Sequence, residues 1–553
     1  MAPALPLAIA GVLFAAAVPA DAEPRLRETA AAWGLDVRHH HGGSGQRYMV
    51  ETMGSGVAML DYDGDGDEDL FFVDGGALPG YTGEPPRSRL LRNDGPGRFT
   101  DVTERSRIAV AAWGMGAVAG DVDADGDLDL YVTAFGPNQL FRNDGDGGFT
   151  DVTATAGVGD PQWSAGAAFA DADRDGDLDL YVANYVDFTV DDHRFCGDRE
   201  RGVRVYCNPA AYSGVPDRYY RNRGDGTFED ATAAAGLAGP ALPGLGVVFA
   251  DLDGDAWPDL FVANDSQANL LFRNRGDGTF EDVSLLSGTA YGDTGNPEAG
   301  MGVATGDVDG DGHLDLVVTN FEGETNALYR GAADMLFLDA RWPTGIAGPS
   351  RGDLAFGVTF ADLDHDADLD LVVANGHIWD NAAELGPGRR YGQRNVVMEN
   401  RGGGRFEPIA ASGLDAALPS RGLAAGDLDG DGDLDLVVTN CNERAEVYEN
   451  VGASSGATGG WLLVDLVAGR GEPFAVGAAL TVEAAGGRQV RVVHTGASYL
   501  SQEPLTQHVG LGAATAATVR VRWADGGAQR FAGLPASRRL RLYGLAADPP
   551  LAR

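Results

Sequence analysis

The chain has 553 residues, 44% of them hydrophobic, with 81 glycines. That gives room for several domains or one large repeat fold, and favours turns and strands over long helices. Acidic residues outnumber basic ones 82 to 41, for a formal charge of −41, and every base is arginine; with no basic stripe to release counterions, nucleic acid is excluded as a partner.

The chain opens with an apolar run, Leu5 to Ala20, ending in Ala20-Asp21-Ala22. This reads as a cleavable signal peptide over residues 1–22, cut after Ala22, and as too short for a comfortable membrane span. No other long apolar segment follows, so no membrane span is expected in the mature chain, which is read as secreted or periplasmic. In that setting Cys196 and Cys207, which flank "GDRERGVRVY", are expected to form a disulfide. Cys441 is left as a small buried thiol.

From Asp61 onward one nine-residue pattern recurs seven times: "DYDGDGDED", "DVDADGDLD", "DADRDGDLD", "DLDGDAWPD", "DVDGDGHLD", "DLDHDADLD" and "DLDGDGDLD", at intervals of 60, 50, 80, 56, 55 and 65 residues. The long interval holds an insertion over 186–216 that contains the two cysteines. An apolar run such as "LYVAN" follows each loop and reads as a strand covered on both faces. Between the loops lies a second motif, "LFRNDGDGGFTDVT" and its relatives, whose Asn/Arg-Gly-x-Gly core is hairpin chemistry. Repeats of this length, worth about four short strands each, point to a seven-bladed β-propeller over residues 23–450. The last repeat ends at "VYENVG" without its final strand, and "LRETAAAWGLDV" near the start resembles the missing piece, which would close the ring.

Three explanations compete for the acidic loops: a solvated acidic run, catalytic carboxylates, or a metal cage. Asp holds positions 1, 3, 5 and 9 in all seven copies and Gly holds position 6 in five, which a solvated run does not require. Catalysis needs one or two tuned carboxylates, not seven equivalent sets, and no catalytic or cofactor-binding residue is assigned. The metal reading remains, with up to seven Ca²⁺, since a hard cation taking six to eight oxygens suits this donor set. The expected ligands are Asp61, Asp63, Asp65 and Asp69; Asp121, Asp123, Asp125 and Asp129; Asp171, Asp173, Asp175 and Asp179; Asp251, Asp253, Asp255 and Asp259; Asp307, Asp309, Asp311 and Asp315; Asp362, Asp364, Asp366 and Asp370; and Asp427, Asp429, Asp431 and Asp435. Position 7, Asp127 in the second loop, would lend its carbonyl. Position 12 is Val132 rather than Glu, and strand follows instead of helix, so these are not EF-hands. Ala256 and Ala367 replace the turn glycine in loops four and six, which marks those sites as the weakest.

Beyond "VGASSGATGG", read as a linker over 451–460, "ALTVEA", "QVRVVHT", "ATVRVRWA" and "RRLRLYG" alternate or run apolar and are split by glycine turns. They predict a small C-terminal β-sandwich over 461–545, with a tail over 546–553. Arg488, Arg491, Arg520, Arg522 and Arg530 either lie on solvated strand faces or give a face that docks on the acidic propeller or an anionic partner. The equivalent residues Asn184, Asn264, Asn320, Asn375 and Asn440 are a sugar-binding ring or, more simply, left-handed turn residues. His39, His40, His41 and His377 read as surface or loop histidines without tetrahedral partner spacing. His313 and His365, inside the loops, are expected to face solvent. Glu51, beside Gly54-Ser55-Gly56, is the acid outside the loops most worth testing.

The "DxDxDGxxD" loops with "NxGDGTFxD" hairpins resemble FG-GAP or VCBS repeats, as in integrin α-chain propellers, and Val476 to Phe531 resembles the ASPIC/UnbV domain. The resemblance implies secretion, calcium binding and an interaction or adhesion role toward a protein or glycan. The alternative is an enzyme of polysaccharide degradation or secondary-metabolite tailoring with its site at the propeller mouth.

Overall fold

A computed structural model describes residues 25–452, 459–484 and 487–545. The signal-peptide and tail expectations, and positions 453–458 of the expected linker, lie outside these residues. Within them the chain is all-β, with helix confined to single turns. Seven sheets of four antiparallel strands follow one another, an arrangement consistent with a β-propeller. Sheet 2 is typical, with strands Trp113–Gly120, Asp129–Phe135, Gln139–Asn143 and Phe149–Asp151. The segment Leu26–Glu28 supplies the fourth strand of sheet 7, pairing antiparallel with Glu446–Asn450. The insertion carries its own hairpin, Cys196–Asp198 against Val203–Val205, and the Cys196–Cys207 disulfide spans it with Cα atoms 5.2 Å apart.

The second strands are apolar on both faces because each sheet is covered on both sides. Leu130, Tyr131 and Val132 are all buried, and Leu130 and Val132 pack with Ala58, Leu60 and Phe71 of sheet 1. Val57, Met59 and Leu70 of sheet 1 likewise pack with Ala424, Val437 and Val447 of sheet 7.

An asparagine near the end of six of the seven third strands ties the sheets together. Asn143 Nδ2 donates to Tyr62 O in loop one at 2.8 Å, Asn222 to Val122 O at 2.9 Å, and Asn274 to Ala172 O at 2.8 Å. Asn400 reaches Val308 O and Asn450 reaches Leu363 O, while Asn93 reaches back to Leu428 O of sheet 7 at 2.8 Å. Its Oδ1 accepts the N–H of the hairpin glycine two residues on, as Asn143 does from Gly145 at 3.1 Å. The hairpin motif therefore does more than turn the chain: its asparagine satisfies buried backbone groups on two sheets. Repeat five has Gly331 in this position.

The C-terminal region holds two further sheets. Gly460–Val467 lies between Gln507–Gly512 and Arg538–Tyr543, pairing parallel with the latter, and a four-stranded sheet orders Gly487–Val492, Ala479–Ala484, Ala516–Arg522 and Ala528–Pro535. Leu462, Val464, Leu480, Val519 and Trp523 form their shared core.

A loop from this region, His494 to Pro504, enters the middle of the sheet array. Thr495, Ser498, Tyr499, Leu500, Ser501 and Gln502 are all buried. Inner-strand N–H groups of most sheets end on this loop: Met59 on Gln502 O at 3.0 Å, Ala119 on Gln502 Oε1 at 2.9 Å, Phe169 on Thr495 Oγ1 at 2.6 Å, Val303 on Ser498 O at 2.9 Å, and Val358 on Ser498 Oγ at 3.1 Å. Inner strands at the centre of such an array have donors without a lateral partner, and the loop supplies the acceptors. Each inner strand carries a glycine at one equivalent place, and there is no room for more. A Cβ on Gly56 would lie 1.6 Å from Leu500 O, and one on Gly302 2.1 Å from Phe356 O.

Candidate metal centres

Each acidic loop links the first and second strands of its sheet and is pinned by its own carboxylates. In loop two, Asp121 accepts from the N–H groups of Asp125 at 3.1 Å and Gly126 at 2.8 Å, and Asp125 accepts from Asp127 N–H at 3.0 Å. Asp129, wholly buried, takes Val122 N–H at 2.9 Å and Asn143 N–H at 2.7 Å. The ninth-position carboxylate does the same in loops one, four, five, six and seven, and in loop three Asp179 takes the Asn222 N–H and the Tyr219 hydroxyl. This residue orders the loop and joins it to the third strand while facing the other carboxylates.

Three of the four expected ligands converge in each of five loops. Oxygens of Asp61, Asp63 and Asp69, and of Asp121, Asp123 and Asp129, lie within 4.8 Å of one another; so do those of Asp171, Asp173 and Asp175, of Asp251, Asp253 and Asp255, and of Asp307, Asp309 and Asp311. Positions 1 and 3 thus meet position 9 in the first two loops and position 5 in the next three. In loops six and seven the N–H of Ala367 and of Gly432 binds the first carboxylate, Asp362 or Asp427, as in loop two.

Electrostatics makes these clusters costly without a counter-charge. Burial pushes Asp61 and Asp121 up to about 6, Asp129 to about 8 and Asp69 to about 9, with neighbouring carboxylates adding to each. Asp171 rises to about 7 from burial and from Asp175 and Asp173 beside it. The Oδ1 atoms of Asp171, Asp307 and Asp362 are buried and accept no hydrogen bond. Unsatisfied buried oxygens, crowded with others of like charge, are what a hard cation would satisfy.

The copies differ as the sequence suggests. Ala256 and Ala367 sit at φ 81° and 86°, the left-handed region that the glycines at this position also occupy. Replacing either by glycine is expected to stabilise the fold by about 1 kcal/mol, from relief of Cβ strain; thermal melts check this, and an unchanged or lower melting temperature would count against it. In loop four Arg522 ion-pairs with Asp251, and Arg273 pairs with Asp253 at 2.6 Å, as Arg221 does with Asp173 in loop three and Arg330 with Asp309 in loop five.

The C-terminal arginines divide. Arg522 meets loop four, and buried Arg491 faces Asp362 of loop six, with burial lowering its pKa despite that carboxylate. Arg520 pairs instead with Glu483 of its own sheet at 3.2 Å. Docking on the acidic loops thus holds for part of the set.

Several expectations need correction. The five asparagines do not form an exposed amide ring, nor are they left-handed: all are buried, four as the last residue of a strand and Asn320 two residues beyond one. Their side chains close the loop that follows, as Asn264 Nδ2 does on Ala268 O at 2.9 Å and Asn375 Nδ2 on Arg394 O at 2.8 Å. His365 does not face solvent but is 2% exposed beneath the C-terminal region, whereas His313 is half-buried. His377 is fully buried, with Nε2 3.3 Å from Glu322 Oε2, which Arg389 also meets at 3.1 Å. His39 is buried too, and the run does not converge: His39 Nδ1 binds Asn442 N–H, His40 binds Asp74, and His41 accepts from Gly43 N–H. Glu51 is buried and accepts from Tyr48 N–H and the Tyr206 hydroxyl, each at 2.9 Å, which fastens the insertion to the start of sheet 1. Cys441 is buried as expected, its thiol donating to Glu51 O.

The inserted loop was not legible as such. Its Glu503 accepts from Ala425 N–H at 3.3 Å and from the Thr359 hydroxyl, and burial pushes it up to about 7. A raised carboxyl favours folding fully below its unfolded pKa, and that share is lost as pH rises through about 7. Glu503→Gln is therefore expected to gain on the order of 1 kcal/mol over the parent at pH 8 and nothing at pH 4, after allowance for solvent screening. Equal differences at both pH values in melts would refute this.

Repeated acidic loops at the head of successive four-stranded sheets define an acidic β-repeat protein of propeller type. The chain belongs to the FG-GAP-repeat family with an ASPIC and UnbV region. It matches the FG-GAP-like repeat over 61–132, 121–182, 205–262, 251–318, 307–373 and 386–438, the FG-GAP repeat over 421–456, and ASPIC and UnbV over 468–547. Cartilage acidic protein 1 of Homo sapiens is 28% identical over 348 residues, covering 60% of this chain and 50% of that protein. The Xenopus tropicalis protein of that name is 28% identical over 297 residues, covering 51% and 42%. The chain spans about half the length of the curated relatives it matches. Among solved structures, an Agrocybe aegerita lectin that recognises non-reducing terminal N-acetylglucosamine aligns with TM-score 0.36 and 16% identity, over 71% of this chain and 87% of that one. The BBS1N–ARL6DN complex aligns with TM-score 0.36 and 12% identity, over 71% and 90%; scores this low carry no argument.

Proposed function

We propose that the protein is an exported calcium-binding seven-bladed β-propeller, spanning 23–450, that works as an extracellular or periplasmic interaction module. Its C-terminal β-sandwich, 461–545, closes one face and threads the central channel. The observation that carries the calcium reading is the set of buried, unpartnered first-position oxygens inside carboxylate clusters. Hard oxygen donors without nitrogen or sulfur select Ca²⁺, held by the four Asp side chains of each loop with a carbonyl from position 7. Closure of the ring is supported by the Asn93–Leu428 hydrogen bond and by the first strand pairing into sheet 7. Export is supported by the disulfide and the leader-like N-terminus. Among the described residues no helix is long and apolar enough to cross a membrane.

An interaction role fits seven near-equivalent loops better than one reaction centre does, and the curated relatives bear the name of a cartilage protein. A second reading, an enzyme, draws on one observation: His377, Glu322 and Arg389 converge beside a cavity of about 170 Å³ lined by Met49, Phe321, Trp379, Asp265 and Glu324. Glycan and matrix-protein arrays with calcium and with EDTA separate the two. The interaction reading expects calcium-dependent capture with the ligand intact; turnover of a polysaccharide, or no capture under either condition, would contradict it.

A further inference from the structure

Where the C-terminal region meets sheets 6 and 7, two histidines distant in sequence face each other. His365, the fourth residue of loop six, and His508, on the strand Gln507–Gly512, are both buried. Their Nε2 atoms are 3.2 Å apart, and each lies 3.1 Å from the carbonyl oxygen of Gly432 in loop seven. The neighbouring carboxylate, Asp433 Oδ1, lies 3.4 Å from His365 Nε2. The ring centroids are 5.1 Å apart with the planes tilted by 33°.

We propose that these groups bind one divalent transition cation of the zinc class: His365 Nε2, His508 Nε2, Asp433 Oδ1 and the Gly432 carbonyl. A tetrahedral ion with bonds of about 2.0–2.1 Å has ligand atoms roughly 3.3 Å apart and puts two Nε2-bound imidazole centroids about 5 Å apart. The four distances above, 3.1–3.4 Å, and the 5.1 Å between centroids fall close to those values. Gly432 O and Asp433 Oδ1 are acceptors, and a neutral imidazole has one ring nitrogen with a lone pair, so a single cation would serve all four donors at once. The site differs from the calcium loops in kind, since it has two nitrogens where they have oxygen alone. Asp433 is also the seventh residue of its loop, where the proposed calcium ligand is the carbonyl and not the side chain. The ion would join three elements, loop six, loop seven and the C-terminal sheet, and so fasten the C-terminal region over the propeller. The donor atoms are distinct from the carboxylate oxygens assigned to calcium, although Asp433 is shared with loop seven through its carbonyl.

The test uses the full mature chain, stripped of metal and then held in saturating calcium, and titrated with Co²⁺ as a spectroscopic probe. One equivalent giving the intense visible bands of tetrahedral cobalt, displaced by one equivalent of Zn²⁺ and lost in His508→Ala but kept in His313→Ala, is the expected result. Absence of tetrahedral bands in the parent protein would overturn the proposal whatever the variants do. Bands of equal intensity in His508→Ala would overturn it as well.

Discussion

Stripping calcium with excess EDTA is expected to lower the melting temperature by at least about 10 °C, with recovery on adding calcium back. Each site held at a hundredfold its dissociation constant stabilises the native state by about 2.7 kcal/mol, and in a chain of this size 1 kcal/mol moves the midpoint by about 2–4 °C or less. Several sites are needed to give the shift, and the seven loops provide them. Seven divalent ions would also bring the formal charge from −41 to about −27 at full occupancy. The metal-free loops should show the opposite pH trend from an ordinary acidic protein. Their raised carboxyls, about 6 for Asp121 and about 8 for Asp129, favour folding when protonated, and this share is lost as pH rises through those values. On the proposed reading, calcium would replace the proton above that range. A melt unmoved by EDTA at pH 8 would remove the structural role assigned to the ions.

The second large effect concerns the loop His494 to Pro504 inside the sheet array. Tyr499 is fully buried, packs against Phe356 with centroids 4.8 Å apart, and donates its hydroxyl to Met53 O at 3.0 Å. Tyr499→Ala is expected to cost about 3–5 kcal/mol, from the lost transfer energy and the cavity left behind. Because the loop meets several sheets, the loss should appear as earlier unfolding of the whole β-array rather than as separate release of the C-terminal region. Denaturant unfolding followed by tryptophan fluorescence and far-UV circular dichroism checks this. Two separated transitions, with the propeller midpoint unchanged, would show that the loop is a passenger.

What was legible in the sequence follows from repetition. Asp at positions 1, 3, 5 and 9 is visible because seven copies agree, and the strand after each loop is visible because both of its faces are covered. The role of Leu26–Glu28 could be read because the last repeat lacks that strand. Singular features left less to read. Nothing periodic marks "HTGASYLSQEP" as a segment that enters the sheet array, although the glycine found in or just before each of the seven inner strands, Gly56 and Gly116 among them, was a usable sign of backbone crowding. The strand-end asparagines were misread because an amide that closes a loop and one that adopts a left-handed turn look alike in a sequence. His365 was assigned to solvent because loops usually are exposed, and what buries it, with His508 143 positions later, comes from another part of the chain. The ninth-position carboxylate was read as a ligand alone, since its two backbone N–H partners are set by the fold.

The most direct measurement is a count of calcium ions bound per chain by equilibrium dialysis, on the parent protein and on Asp123→Ala. Up to seven ions are expected for the parent, with loops four and six filling last, and one fewer for the variant. A parent protein that binds no calcium at millimolar concentration, or a variant that binds as many ions as the parent, would contradict the claim that these loops are calcium cages.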